Sequence, residues 1–126
     1  MIESISDTQR QLTSFKCTGE VIVKELVYKL ITFYETSPTL YLLMDLTQAN
    51  LKSGSTEDVR EYVEFLKRRG SARVGGKTAI AVSSDNEYGL SRAFQAFSKI
   101  KELVFKTQVF RSLEEAENWL LPNSEV

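Results

Sequence analysis

The stretch Gly76-Lys-Thr-Ala-Ile-Ala-Val-Ser-Ser-Asp-Asn-Glu-Tyr-Gly-Leu-Ser-Arg92 constrains the fold more than any other part of the chain. Thr78 to Val82 is small and apolar throughout, of strand length, and shows no polar alternation. Such a run fits a strand covered on both faces. Ser84 followed by Glu87 has the spacing of a capping box, in which each residue satisfies a free N–H of the other at a helix start. Leu90, Ala93, Phe94 and Phe97 then recur at helical spacing and predict the inner face of that helix. A covered strand feeding directly into an amphipathic helix is the building unit of a parallel α/β sheet.

The rest of the chain repeats this alternation. Leu40-Tyr-Leu-Leu-Met44 is a second unbroken apolar run, ending in Asp45. Before it, Val23, Leu26, Val27, Leu30 and Tyr34 fall on one helix face, and Ser37-Pro38 stops that helix because the residue before a proline is pushed out of the helical region. After it, Ser53 to Thr56 is a loop, Ser55 and Asp58 mark a helix start, and Val59, Val63 and Leu66 form its stripe. Lys67-Arg68-Arg69 suits the negative end of the helix dipole, and Gly70 suits a left-handed cap. Gln108 to Phe110 predicts a short last strand. Ser112 with Glu115 opens a final helix with Leu113, Ala116 and Leu120 inward, and Pro122 ends it. At the other terminus, Met1 to Ser6 and Leu12 to Thr18 flank a hairpin connection, Asp7 to Gln11. Thr13, Phe15 and Cys17 share one face there, and Gly19 marks the strand's end. The predicted order is β-β-α-β-α-β-α-β-α, a single α/β domain over 1–126. Its mixed, mostly parallel sheet has about five strands, with an antiparallel first pair, and it carries about four helices.

Composition excludes whole classes of function. The net charge is -1, with 16 basic against 17 acidic residues, so no overall field draws the chain to nucleic acid or an anionic membrane. The chain has no histidine, which removes the usual general base near neutral pH and the commonest metal ligand. Cys17 is its only cysteine, which excludes an internal disulfide and a cysteine metal cluster. A single thiol, no secretion signal at Met1-Ile-Glu-Ser4 and no membrane-spanning apolar run predict a cytoplasmic location. No cofactor and no metal are expected.

Three places invite a site. Gly75-Gly76-Lys77-Thr78 resembles a phosphate loop but fails it. The lysine is displaced by one position, and a helix precedes where a strand is required. In open α/β sheets ligands gather outside the carboxyl ends of the strands, and Asp45, Ser83 and Arg111 each follow a predicted strand end. Tyr88 and Arg92, four apart, share a helix face beside Asp85. Two readings stand. Asp85 and Glu87 cap the helix while Arg92 neutralises Asp45 or Glu87, or else Asp45, Asp85, Tyr88 and Arg92 form a surface that meets a partner or ligand. Cys17 reads as a small core residue, and Trp119 as packing.

The order of elements resembles the STAS and SpoIIAA-like group, the fold of bacterial anti-sigma-factor antagonists. Four segments carry the resemblance: Thr18-Gly-Glu20, Leu42-Leu-Met-Asp-Leu46, Lys77-Thr-Ala-Ile-Ala-Val82, and Val109-Phe-Arg-Ser-Leu-Glu-Glu-Ala116 leading to Trp119-Leu120. The resemblance implies a superhelix of β-α turns with strands in sequential order and helices chiefly on one face. It implies action by binding proteins, or by self-association, rather than catalysis. In the antagonists a serine in an Asp-Ser-Ser-Gly-like loop takes phosphate. The corresponding stretch here is Leu51-Lys-Ser-Gly-Ser-Thr56, where Ser53 and Ser55 flank a glycine and the aspartate is absent. The alternative reading is a small-ligand-binding module. Lipid-transfer relatives of the fold hold apolar ligands, but this chain lacks the extra helices those pockets use.

Overall fold

In the computed structural model, which describes residues 1–69 and 71–121, five strands form one sheet with four helices packed on it. The elements are β1 (Ile2–Asp7), β2 (Leu12–Ile22), α1 (Val23–Thr36), β3 (Tyr41–Lys52), α2 (Thr56–Arg68), β4 (Lys77–Val82), α3 (Asp85–Ile100), β5 (Lys106–Phe110) and α4 (Leu113–Leu120). The cap expected of Gly70 and the stop expected of Pro122 lie outside the described residues.

The strands stand side by side in chain order, β1-β2-β3-β4-β5. Only β1 and β2 are antiparallel; every later pair is parallel. Each crossover from β2 onward advances one strand in the same direction. Crossovers share one hand, so α1, α2 and α3 fall on the same face. There they cover Phe15, Val21, Leu42, Met44, Leu46, Ile80 and Val82. α4 covers the opposite face, on Leu43, Ala79 and Ala81 through its own Ala116 and Leu120. Alanines on both sides let α4 lie close to the sheet. Leu43 and Ile80, the mid-run residues of the two apolar strands, are 5% and 2% exposed.

Two strands run further than their sequences indicate. β2 does not stop at Gly19 but continues through Ile22, with Gly19 at φ +70° inside it. β3 does not close at Asp45 but extends to Lys52. The cause is a bulge. Lys16 pairs with Asp45 but Thr18 pairs with Gln48, so β3 spends three residues where β2 spends two. The extra residue reverses the strand's parity. Leu42, Met44 and Leu46 face the three helices before it, and Ala49 and Leu51 face them after it. Lacking a two-residue period, Leu46 to Leu51 does not read as a strand.

Tight turns close the opposite end. A Cβ on Gly76 would lie 2.1 Å from the Leu40 carbonyl oxygen, so only glycine fits where the chain enters β4. Next to it, Arg73 holds φ +66° and is 6% exposed. Its guanidinium spends every N–H on neutral acceptors. Nε donates to the Thr39 carbonyl, Nη1 to Tyr34 Oη and Thr78 Oγ1, and Nη2 to the Leu40 and Lys77 carbonyls, at 2.7 to 3.0 Å. The Phe105 ring lies 4.5 Å from the cation. One side chain thereby ties α1, the segment before β3, β4 and the segment before β5.

Candidate functional site

The carboxyl ends of β4 and β5 place the start of α3 beside Arg111. Three of the four sequence-expected residues meet there. Arg111 Nη1 lies 3.2 Å from Asp85 Oδ1, and its guanidinium sits 4.0 Å from the centre of the Tyr88 ring. Arg92 Nη1 donates to Tyr88 Oη at 2.8 Å. Tyr88 thus offers its face to one arginine and its hydroxyl to another. The half-buried ring rests on the core, while Asp85, Arg92 and Arg111 are exposed.

Asp45 does not join them. It precedes the bulge and shares a strand face with Leu43, the face that α4 covers, whereas Tyr88 packs on the other face. Asp45 is buried and accepts from the Thr47 backbone N–H at 3.0 Å and from Thr47 Oγ1 at 2.6 Å. No hydrogen bond or ion pair links it to Tyr88 or Arg92 among the described residues. The expected Arg92–Asp45 pairing is replaced by Arg92–Tyr88. Arg111, on a separate element, supplies the second cation.

The capping box expected at Ser84 and Glu87 is also replaced. Ser84 sits at the helix start, but its side chain accepts no backbone N–H. Its hydroxyl bonds the Glu87 carboxylate instead. Glu87 is 2% exposed and turns inward to accept the Leu51 backbone N–H at 2.8 Å and Asn86 Nδ2 at 2.9 Å. It joins α3 to the far end of β3, beyond the bulge. The inner face of α3 is therefore Glu87, Ser91, Phe94 and Ser98, with Leu90, Ala93 and Phe97 only half-buried. By contrast, Ser55 and Asp58 form the full box at α2, and Ser112 Oγ accepts from the Glu115 N–H at α4.

Ser53 and Ser55 are both exposed in the loop after β3. The Ser55 hydroxyl is engaged at the α2 start, 3.2 Å from Asp58 Oδ2. Ser53 has φ +55°, and the neighbouring Gly54 packs so closely on Val23 that an added Cβ would lie 2.2 Å from a Val23 methyl. Cys17 is fully buried, and burial pushes its thiol up to about 11.

Between the three helices and the sheet lies an apolar cavity of about 70 Å³, bordered by Val23, Leu26, Met44, Leu51 and Phe94. Ligand pockets occupy about 300–1,000 Å³, so this space is far below that of a lipid or cofactor site. No helix among the described residues is long and apolar enough to cross a membrane. In comparisons with protein-family models and with curated proteins, nothing matched the chain.

The strand-end cluster has the chemistry of a recognition surface. Among the described residues, two guanidinium groups stand against one carboxylate, and both are held in direction by one ring. Exposed pairs of this kind add little to stability, about 0–1 kcal/mol each. Arg92 also sits early in α3, where the helix dipole disfavours a cation. The charged groups are thus oriented by Tyr88 while adding little to stability.

Proposed function

We propose that this chain is a non-enzymatic regulatory domain of the STAS and SpoIIAA-like kind, which acts by binding another protein through the strand-end cluster. The observation that carries the reading is the Arg111–Tyr88–Arg92 arrangement. Two exposed arginines share one ring, with only Asp85 paired to them among the described residues. Such a surface suits a carboxylate or other anionic group on a partner, because a guanidinium offers paired donors to a planar acceptor. Sequential strand order and three helices on one face agree with the resemblance that suggested this class. The apolar cavity between the helices and the sheet is too small to hold a ligand of the lipid class.

The test is quantitative co-purification from the native host, comparing the natural chain with the Arg92→Ala, Arg111→Ala double variant. The reading expects a protein recovered by the natural chain and lost from the variant, with both chains unfolding at the same temperature. Recovery of the same proteins by both would refute the role of the cluster.

A further inference from the structure

Among the described residues, the outer edge of β5 is unpaired and carries a groove. β5 ends the sheet, with β4 its only neighbour among the described residues. The Lys106 N–H donates to the Gly76 carbonyl, on the β4 side. Main-chain groups alternate along a strand, so Lys106, Gln108 and Phe110 point to β4 while Thr107 and Val109 point outward. One outward group is engaged: α3 reaches over the edge, and Gln95 Nε2 donates to the Thr107 carbonyl at 3.2 Å. The Thr107 N–H and both groups of Val109 point away from β4, and no turn, loop or side-chain bond reaches them among the described residues.

A groove of about 460 Å³ follows this edge, with Ser98 and Lys99 of α3 on one wall and Trp119 of α4 at the other side. Two hydroxyls that line it, Ser98 Oγ and Thr107 Oγ1, are buried and unpartnered among the described residues. The Ser98 residue is only 5% exposed. A buried hydroxyl without a bond is costly, so an acceptor brought to these two would be favoured.

We infer that this edge binds an extended acidic peptide segment as a sixth strand. The Thr107 N–H and both main-chain groups of Val109 supply the ladder, as in other strand additions. A carboxylate on the α3 side of the added strand accepts from the Ser98 and Thr107 hydroxyls and pairs with the Lys99 ammonium. The next side chain points to the opposite face and covers Trp119. Lys99 and Lys106 outnumber Glu102 along the groove, which sets the preference for an acidic segment. A second copy of β5 fits less well. α3 overhangs the edge to reach Thr107, so two-fold pairing would bring two α3 helices onto one another. This edge is separate from the strand-end cluster, and the inference goes beyond that reading.

The probe is the blocked hexapeptide Ac-Val-Glu-Val-Glu-Val-Glu-NH2, with Ac-Val-Lys-Val-Lys-Val-Lys-NH2 as its counterpart. Amide hydrogen exchange of the full chain is the readout. The glutamate peptide should slow exchange at Thr107 and Val109 by about tenfold or more, leaving Gln108, already bonded to β4, unchanged. Val109→Pro should abolish the effect, because it deletes an outward N–H and no bond to β4. Lys99→Glu, on an exposed position, should weaken the peptide by about tenfold. Absence of protection at millimolar peptide would overturn the inference. So would equal protection by the lysine peptide, or protection that grows with chain concentration alone.

Discussion

Glu87, in the first turn of α3, accepts the backbone N–H of Leu51, at the far end of β3, across 2.8 Å. The bond is buried and fastens a strand extension that the bulge has turned inward. Glu87→Ala leaves the Leu51 N–H unpaired in the core and should cost about 1–3 kcal/mol by urea denaturation. Ser84 acts through the same carboxylate rather than as a helix cap. Ser84→Ala should therefore lose most of its effect in a Glu87→Ala background. Additive costs in that double-mutant cycle would mean that Ser84 works independently of Glu87.

Arg73 should be the most demanding polar position. Arg73→Lys keeps the charge but provides one ammonium where five fixed donors serve five acceptors. The change should cost about 3 kcal/mol or more, since it strands several buried acceptors. Arg73→Gly relaxes the positive φ but loses all five bonds, and should be at least as unstable. A denaturation midpoint unmoved by Arg73→Lys would show that water replaces the guanidinium at no cost.

The alternation of strands and helices was legible because apolar runs and helical stripes have different periods. The same logic failed where one residue breaks the period. Asp45 reads as the end of a strand because polar residues follow it, yet the bulge carries β3 on to Lys52. Ser84 and Glu87 have the spacing of a capping box whether Glu87 turns back to Ser84 or inward to Leu51; the choice is made by a β3 backbone distant in sequence. Arg73 is a charged loop residue, which alone predicts solvent. Within the candidate site, Tyr88 and Arg92 were legible from their helical spacing. Arg111, though placed at a strand end, could be joined to Tyr88 only once β5 lay beside β4.

Leu43→Ala tests the second core. Leu43 meets α4 through Ala116 and Leu120, with small alanines beneath, so the site has little freedom to collapse. The cost should be about 2–5 kcal/mol. A midpoint within experimental error of the natural chain would contradict the packing of α4 on this face.

Stability should fall in alkali. Burial raises the Cys17 thiol from an ordinary 9.0 to about 11. Below pH 9 the thiol is protonated in both states, and its contribution is fully present. Between pH 9 and 11 the unfolded chain releases the proton while the folded chain retains it, so unfolding becomes easier by up to about 3 kcal/mol. Burial also raises the hydroxyls of Tyr34 and Tyr62, which adds loss in the same direction. Cys17→Ala should flatten the pH dependence in this window. An unchanged slope would exclude the thiol as its source.

If the Arg111–Tyr88–Arg92 surface meets a protein, a cross-linker held beside it should capture that protein. Position 89 lies between Tyr88 and Arg92 on exposed helix, and a Cβ added there meets no atom within 4 Å. Gly89→p-benzoylphenylalanine, expressed in the native host and irradiated, places a photo-crosslinker at the cluster without disturbing it. A discrete adduct with a host protein is expected, lost when Arg92→Ala and Arg111→Ala are added. No adduct, or one that persists in the double variant at full strength, would contradict it.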